Sequence, residues 1–279
     1  MLPIPIPEEL SSLSSALQEL ARPCASFELQ KTKNCPAGSS KLGGCPDLPE
    51  GFDWPVSRGR KLDFLLQVRL RDLNSLPGTG ALPRDGVLSF FYDLDKQPWG
   101  FDPAQLSGFR VVYFRESTPL RKHPIPNAEF GLDECRIEFR PGCTLPNHGC
   151  RAYERLNLSD EMADVYSDYI KALANHGRSG SPPQHRLLGH AENIQGDMQL
   201  EAQLVTNGLY CGNPSGYNDP RRKLLEKGAD DWMLLLQLDS DEDAGNFMWG
   251  DCGMLYYWIR AQDLMECRFD RVWMTLQCC

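Results

Sequence analysis

The sequence predicts an α+β fold in which internally duplicated antiparallel β units share one core and a few helices flank them. Three observations predict it. Two blocks, about 63–115 and about 232–279, are dense in apolar and aromatic residues. They repeat the same elements in the same order. Leu65-Leu66-Gln67 matches Leu235-Leu236-Gln237, Gly86 to Phe91 matches Gly253 to Trp258, and Phe109-x-x-Val112-Tyr113 matches Phe269-x-x-Val272-Trp273. Between the blocks lies one amphipathic helical segment, 159–176. Three matches in order favour duplication over chance likeness between buried strands, and two long copies are too few for a solenoid. The expected organisation is one domain over 1–279.

Residues 7–21 read as a helix: Leu10, Leu13, Leu17 and Leu20 fall at helical spacing, Glu8 and Glu9 suit the N-terminal dipole, and Pro23 stops it. A strand is expected from Cys24 to Gln30. Lys41 to Pro55 is a Gly/Pro-rich passage, with Leu48, Phe52 and Trp54 as its anchors. The first block supplies strands at 63–69, 86–92 and 109–115, the last apolar enough to be buried on both faces. Prolines at 119, 124, 126, 141 and 146 break up residues 116–158, where only 135–140 reads as a strand. Ser159 is an N-cap candidate for the long helix. Met162, Val165, Tyr166, Tyr169, Ile170 and Leu173 form its stripe, and Gly177 its stop. Residues 177–184 read as a mobile connector. Asp219-Pro220 opens a brief helix ending at Gly228.

Composition excludes several classes. The 279 residues carry a formal net charge of -9, and no Lys/Arg run exceeds Arg221-Arg222-Lys223. Nucleic acid and an anionic membrane surface are therefore not expected partners. No apolar run approaches the roughly 20 residues of a membrane span. The N-terminus lacks a basic region and carries prolines where a signal peptide needs a helix, so a cytoplasmic protein is expected. The eleven cysteines are odd in number and irregularly spaced, which favours free thiols.

No motif carries a recognisable reaction. Asp239-Ser240-Asp241-Glu242-Asp243 resembles the start of a calcium loop, but Ala244 and Gly250 stand where such a loop needs glycine and glutamate. A solvated acidic turn between strands is expected instead. Cys143, His148 and Cys150, with Cys135 upstream, lack the paired short spacings of a zinc site, so no metal and no cofactor are expected. The terminal Cys278-Cys279 reads as the end of a strand rather than a prenylation signal. Cys252 has glycine after it, but Asp251 beside it would raise its thiol pKa. Gln67 and Gln237 are polar residues inside apolar strands, at equivalent positions of the two blocks. Each needs hydrogen-bond partners if buried. Structural bonds to nearby backbone would supply them. Alternatively they line one pocket together with Trp249 and Asp251, the candidate site.

Several stretches resemble the YwqG-like family of uncharacterised, mainly bacterial proteins. They are Leu42-Gly43-Gly44-x-Pro46-x-Leu48-Pro49 with Trp54-Pro55, Phe64-Leu65-x-Gln67, Ile194-Gln195-x-Asp197-Met198, 232–241, and Met248-Trp249-Gly250-Asp251-x-Gly253. The resemblance covers roughly Lys41 to the C-terminus. It implies an α+β fold with internal duplication and brings no catalytic residues. Some relatives are similar to proteins encoded beside bacterial toxins, which implies an immunity-type role as one alternative. The expected function is a non-enzymatic binding or protein-interaction module with an unidentified protein partner. The other alternative is an enzyme with a site between the two repeats.

Overall fold

The computed structural model describes residues 2–279. Its strands are β1 (Arg22–Lys31), β2 (Lys41–Leu42), β3 (Asp47–Leu48), β4 (Val56–Ser57), β5 (Arg60–Lys61), β6 (Asp63–Arg69), β7 (Val87–Tyr92), β8 (Phe109–Phe114), β9 (Arg121–Lys122), β10 (Cys135–Thr144), β11 (His185–Leu187), β12 (Trp232–Asp239), β13 (Met254–Arg260) and β14 (Trp273–Gln277). Strands β3 with β9, and β4 with β5, make two small ribbons. The other ten form one sheet in the order β14-β13-β12-β11-β1-β10-β2-β6-β7-β8. Every neighbouring pair is antiparallel.

The ten-residue pair β1–β10 is the spine of this sheet, and an arm of four strands extends from each side. From the spine outwards one arm runs β2-β6-β7-β8 and the other β11-β12-β13-β14. Each arm has a register irregularity at the same step, between Phe64 and Leu66 and between Leu234 and Leu236. A bulge bends and twists its strand, so both arms curl. Their edges meet: the Phe109 ring of β8 stands edge-on to Trp273 of β14 at 5.2 Å. Across the interior Phe90 and Tyr257 make a similar contact at 5.2 Å. The result is a large, nearly closed antiparallel sheet. The open edge of β14 is covered by the loop after β7. Trp99 carbonyl accepts from Leu276 N at 2.9 Å, and Gly100 carbonyl accepts from the Trp273 indole at 2.8 Å. Gly100 is required there: its φ is +86°, and a Cβ would lie 2.0 Å from the Met274 carbonyl oxygen.

Several expectations are corrected. Strand β8 is an edge, and its faces pack in different clusters: Phe109 and Val111 join the interior of the sheet, Phe114 packs on the opposite face with Phe64 and Phe91, and Arg110 is exposed. Strand β10 runs through Pro141 to Thr144, because β2 covers only Cys135 and Arg136 and the rest of that side is an edge, where proline is accommodated. The N-terminal helix begins as a 3-10 turn, Glu8–Leu13, before α1 (Ser14–Leu20). Its serines compete with the backbone for hydrogen bonds and weaken the regular helix.

A short helix α2 (Arg151–Glu154) precedes α3 (Asp160–Ala174). Ser159 caps α3, its hydroxyl accepting from Met162 N at 3.4 Å. Tyr166, Tyr169 and Leu173 pack with Leu10, Leu17 and Leu145 in a cluster separate from the interior of the sheet. Helix α4 (Met198–Val205) packs against β12 and β14. Among the described residues no helix is long and apolar enough to cross a membrane. All eleven cysteines are free thiols. Among the described residues no group of three or more His, Cys, Asp or Glu side chains is placed to hold a metal.

Candidate functional site

Gln67 and Gln237 are completely buried, and each closes a polar cluster in its own arm. Gln67 Oε1 accepts from Asp47 N at 2.9 Å, and its amide donates to Ser39 O at 2.9 Å and Asp47 Oδ2 at 2.7 Å. Gln237 Oε1 accepts from Glu192 N at 2.9 Å, and its amide donates to Gln184 O at 2.8 Å. Beside each lies a cation, at the paired position on the neighbouring strand: Lys41 opposite Gln67 and Arg186 opposite Gln237. Each cation meets the carboxylate six residues later, Lys41 with Asp47 at 3.2 Å and Arg186 with Glu192 at 3.0 Å. The turn between them is left-handed in both arms, with φ of +64° at Gly43 and Gly44 and of +62° and +80° at Leu188 and Gly189.

Trp249 is buried, donating its indole N–H to Asp239 O at 3.2 Å and packing on Phe247 and Tyr92. The acidic loop is thus pinned rather than merely solvated. Asp241 is buried against His185, whose Nδ1 accepts from Asp239 N at 3.1 Å, leaving Nε2 to donate to Asp241 at 3.4 Å. Asp251 is exposed, and its carbonyl accepts from Cys279 N at 3.2 Å. Gln67 and Gln237 bond within different arms, Trp249 bonds to Asp239 of the Gln237 strand, and none of Gln67, Gln237, Trp249 and Asp251 lines the cleft described next.

That cleft, about 270 Å³, lies between the two arms. Trp99 and Phe101, from the loop after β7, form one wall, and Leu276 and Gln277 of β14 another. Its floor is α4. Asp197 caps this helix, Oδ1 accepting from Leu200 N at 3.0 Å, with Oδ2 3.4 Å from Arg151 Nε. Asp197 and Glu201 are one turn apart and share a helix face, and both line the cleft. Gln277 Oε1 accepts from Ile194 N at 2.9 Å and Gln195 N at 3.0 Å, which fixes the rim.

Glu201 is the chemically distinctive group. Burial pushes its carboxyl up from 4.5 to about 7, opposed by the Tyr217 hydroxyl, which donates to Oε2 at 3.1 Å. Burial, then the neighbouring Glu201 charge, holds the Tyr217 phenol well above its usual range. The same two causes push the Cys211 thiol up to about 12, the wrong direction for a nucleophile. Burial also raises Asp197, against the pull of the Leu200 N–H. A carboxyl poised near neutrality, a phenol and two aromatic walls suit recognition of a hydrogen-bond donor that carries positive charge. Sequence reasoning missed Glu201. Its signal was the Asp197 cap, which starts a helix and places Glu201 one turn on.

The cleft and both arms lie within residues 40–278, which match a family model described as a domain of unknown function, DUF1963. The chain belongs to the DUF1963 family. The DUF1963 match begins one residue before β2, so the central strand β1 and helix α1 lie outside it. A comparison with curated proteins found no match.

Proposed function

We propose that this DUF1963 chain is a YwqG-like, non-enzymatic binding module that takes a small protonated amine in the Glu201 cleft. The raised carboxyl of Glu201, facing Trp99 and Phe101 beside Tyr217, is the observation that carries it. An ammonium group would draw Glu201 into its ionised form and gain a charge-assisted hydrogen bond plus contact with aromatic faces. Binding is then linked to proton release from Glu201 and tightens as pH rises towards about 7. Calorimetric titration with putrescine and with ethanolamine tests this. Expected are binding that strengthens between about pH 6 and about pH 8 and its loss in Glu201→Gln. Amine binding that is unchanged in that variant, or absent from the native protein, overturns it.

A second reading is general acid–base catalysis, favoured by the same carboxyl near neutrality. Turnover on a broad substrate panel that disappears in Glu201→Gln would replace the binding reading.

We also propose that the two arms descend from one duplicated unit. The matched bulges, the matched cation–carboxylate–glutamine clusters and the paired left-handed turns support it. An experimental structure of another DUF1963 member with the bulge or cluster in only one arm would count against it.

A further inference from the structure

A second cleft, about 520 Å³, opens where the end of α3 and the connector after it lie over β1 and β10. It shares no residue with the Glu201 cleft. Arg140, Arg178, Arg186 and His176 line it, and no aspartate or glutamate is among its lining residues. On a chain with a formal net charge of -9 this is a local reversal of sign.

The compensating carboxylates stand behind the guanidinium groups. Glu28 accepts from Arg140 Nη2 at 2.9 Å and from Arg178 Nε at 3.2 Å. Glu192 pairs with Arg186 at 3.0 Å. Two carboxylates therefore serve three guanidinium groups. Arg178 is fixed, donating also to Pro183 O at 2.8 Å and Gln184 Oε1 at 3.3 Å, with 5% of its side chain exposed. Arg186 is fixed by Glu192 and by His190 O at 3.2 Å. Arg140 is the open one: its side chain is 43% exposed, and among the described residues only Nη2 of its guanidinium donates to a partner. Arg178 is held below the usual guanidinium range, first by burial and then by the nearby Arg186 and Arg140 charges, although Glu28 opposes the shift. An anion in the cleft would relieve that crowding.

We propose that this cleft binds a small organic anion, a carboxylate or a phosphate ester, with Arg178 and Arg186 as a preset cationic floor and Arg140 closing onto the ligand. Planar guanidinium groups suit both anions, which they engage through paired N–H donors. The test is calorimetric titration of the full chain with inorganic phosphate and with succinate, in the native protein and in two variants. Arg140→Gln changes a half-exposed side chain and is expected to fold normally by circular dichroism. It should weaken binding about tenfold or more, the loss of one charge-assisted contact. Glu28→Gln frees Arg140 and Arg178 from their competing carboxylate and should tighten it. A purely structural role for the arginines, pinning the connector, predicts no anion binding and no gain in Glu28→Gln. Phosphate binding without succinate binding assigns the ligand to the phosphate class, and the converse to the carboxylates. Failure of both anions to bind the native protein, or equal binding to native and Arg140→Gln, overturns the proposal. Neither outcome bears on the Glu201 cleft.

Discussion

Replacing Glu201 with glutamine is expected to expose a pH dependence of stability that the native chain conceals. The Glu201 carboxyl is pushed up from 4.5 to about 7. A raised carboxyl favours the folded state only while protonated. Its stabilisation is therefore intact below about pH 4.5 and is lost as pH rises to about 7. The shift corresponds to roughly 3 kcal/mol at most, reduced by whatever solvent enters the cleft. His190 runs the other way. Burial first, then the Arg22 and Arg186 charges, lower it from 6.5 to about 4, while the Leu20 carbonyl, 2.8 Å from Nε2, opposes them. Its stabilisation is intact above about pH 6.5 and is lost as pH falls to about 4. The two windows overlap and the two effects are of similar size, so they largely cancel. In Glu201→Gln the His190 slope is no longer offset by Glu201, and stability should rise with pH. That variant should match the native chain near pH 4 and exceed it by up to roughly 3 kcal/mol above pH 7. In His190→Gln the slope should reverse, with stability falling as pH rises. Urea midpoints followed by tryptophan fluorescence, at fixed ionic strength across this range, read both differences. Native and variant profiles that stay parallel from acid to neutral pH would refute the assignment of either slope to its residue.

The paired ion clusters should differ in cost. Lys41→Met leaves Asp47 buried without its cation and is expected to destabilise by about 3 kcal/mol in urea denaturation. Glu192 is 42% exposed, so Arg186→Met should cost only about 1 kcal/mol. Equal losses would contradict the difference in burial. Gly43→Ala forces a Cβ to within 2.3 Å of the Asp133 carbonyl at a φ of +64°, and should lower the thermal midpoint by several degrees, about 1–3 kcal/mol; an unchanged midpoint would show that the turn relaxes.

Much of the β architecture was legible because buried strands announce themselves. Leu65-Leu66-Gln67 and Leu235-Leu236-Gln237 fall on the bulged steps of β6 and β12, the same place in each arm. The glutamines stood out as polar residues in apolar runs, and their need for partners could be stated in advance. The identity of those partners could not. Six residues apart, Lys41 and Asp47, like Arg186 and Glu192, would stand roughly 20 Å from each other along a continuous strand. A left-handed turn brings each pair together, and only the folded backbone shows it. Helix α4 escaped notice for a related reason. Six of its eight residues are buried, Gln203 among them, so it has no polar face against which an apolar stripe would show. Glu201 then read as one more solvated charge, although the cap that places it, Asp197, was in plain sight.

The two clusters have the same chemistry and opposite accessibility, and that difference locates where ligand chemistry is possible. Lys41 and Asp47 are both 0% exposed. A sealed ion pair adds little net stability, because desolvation offsets its attraction. It can still fix the register of β2 against β6, since a one-residue slip would strand two charges in the core. The Arg186–Glu192 pair holds the corresponding place in its arm, but Glu192 reaches solvent and Arg186 lines the cleft beneath α3. The Arg186 charge can be shared with a ligand without unfolding the strand that carries it; the Lys41 charge cannot. An anion that binds through Arg186 would also compete with Glu192, whose backbone N–H is held by Gln237. Ligand binding at the open cluster is thereby coupled to the hydrogen bond that anchors β12, while the sealed cluster holds the other arm fixed.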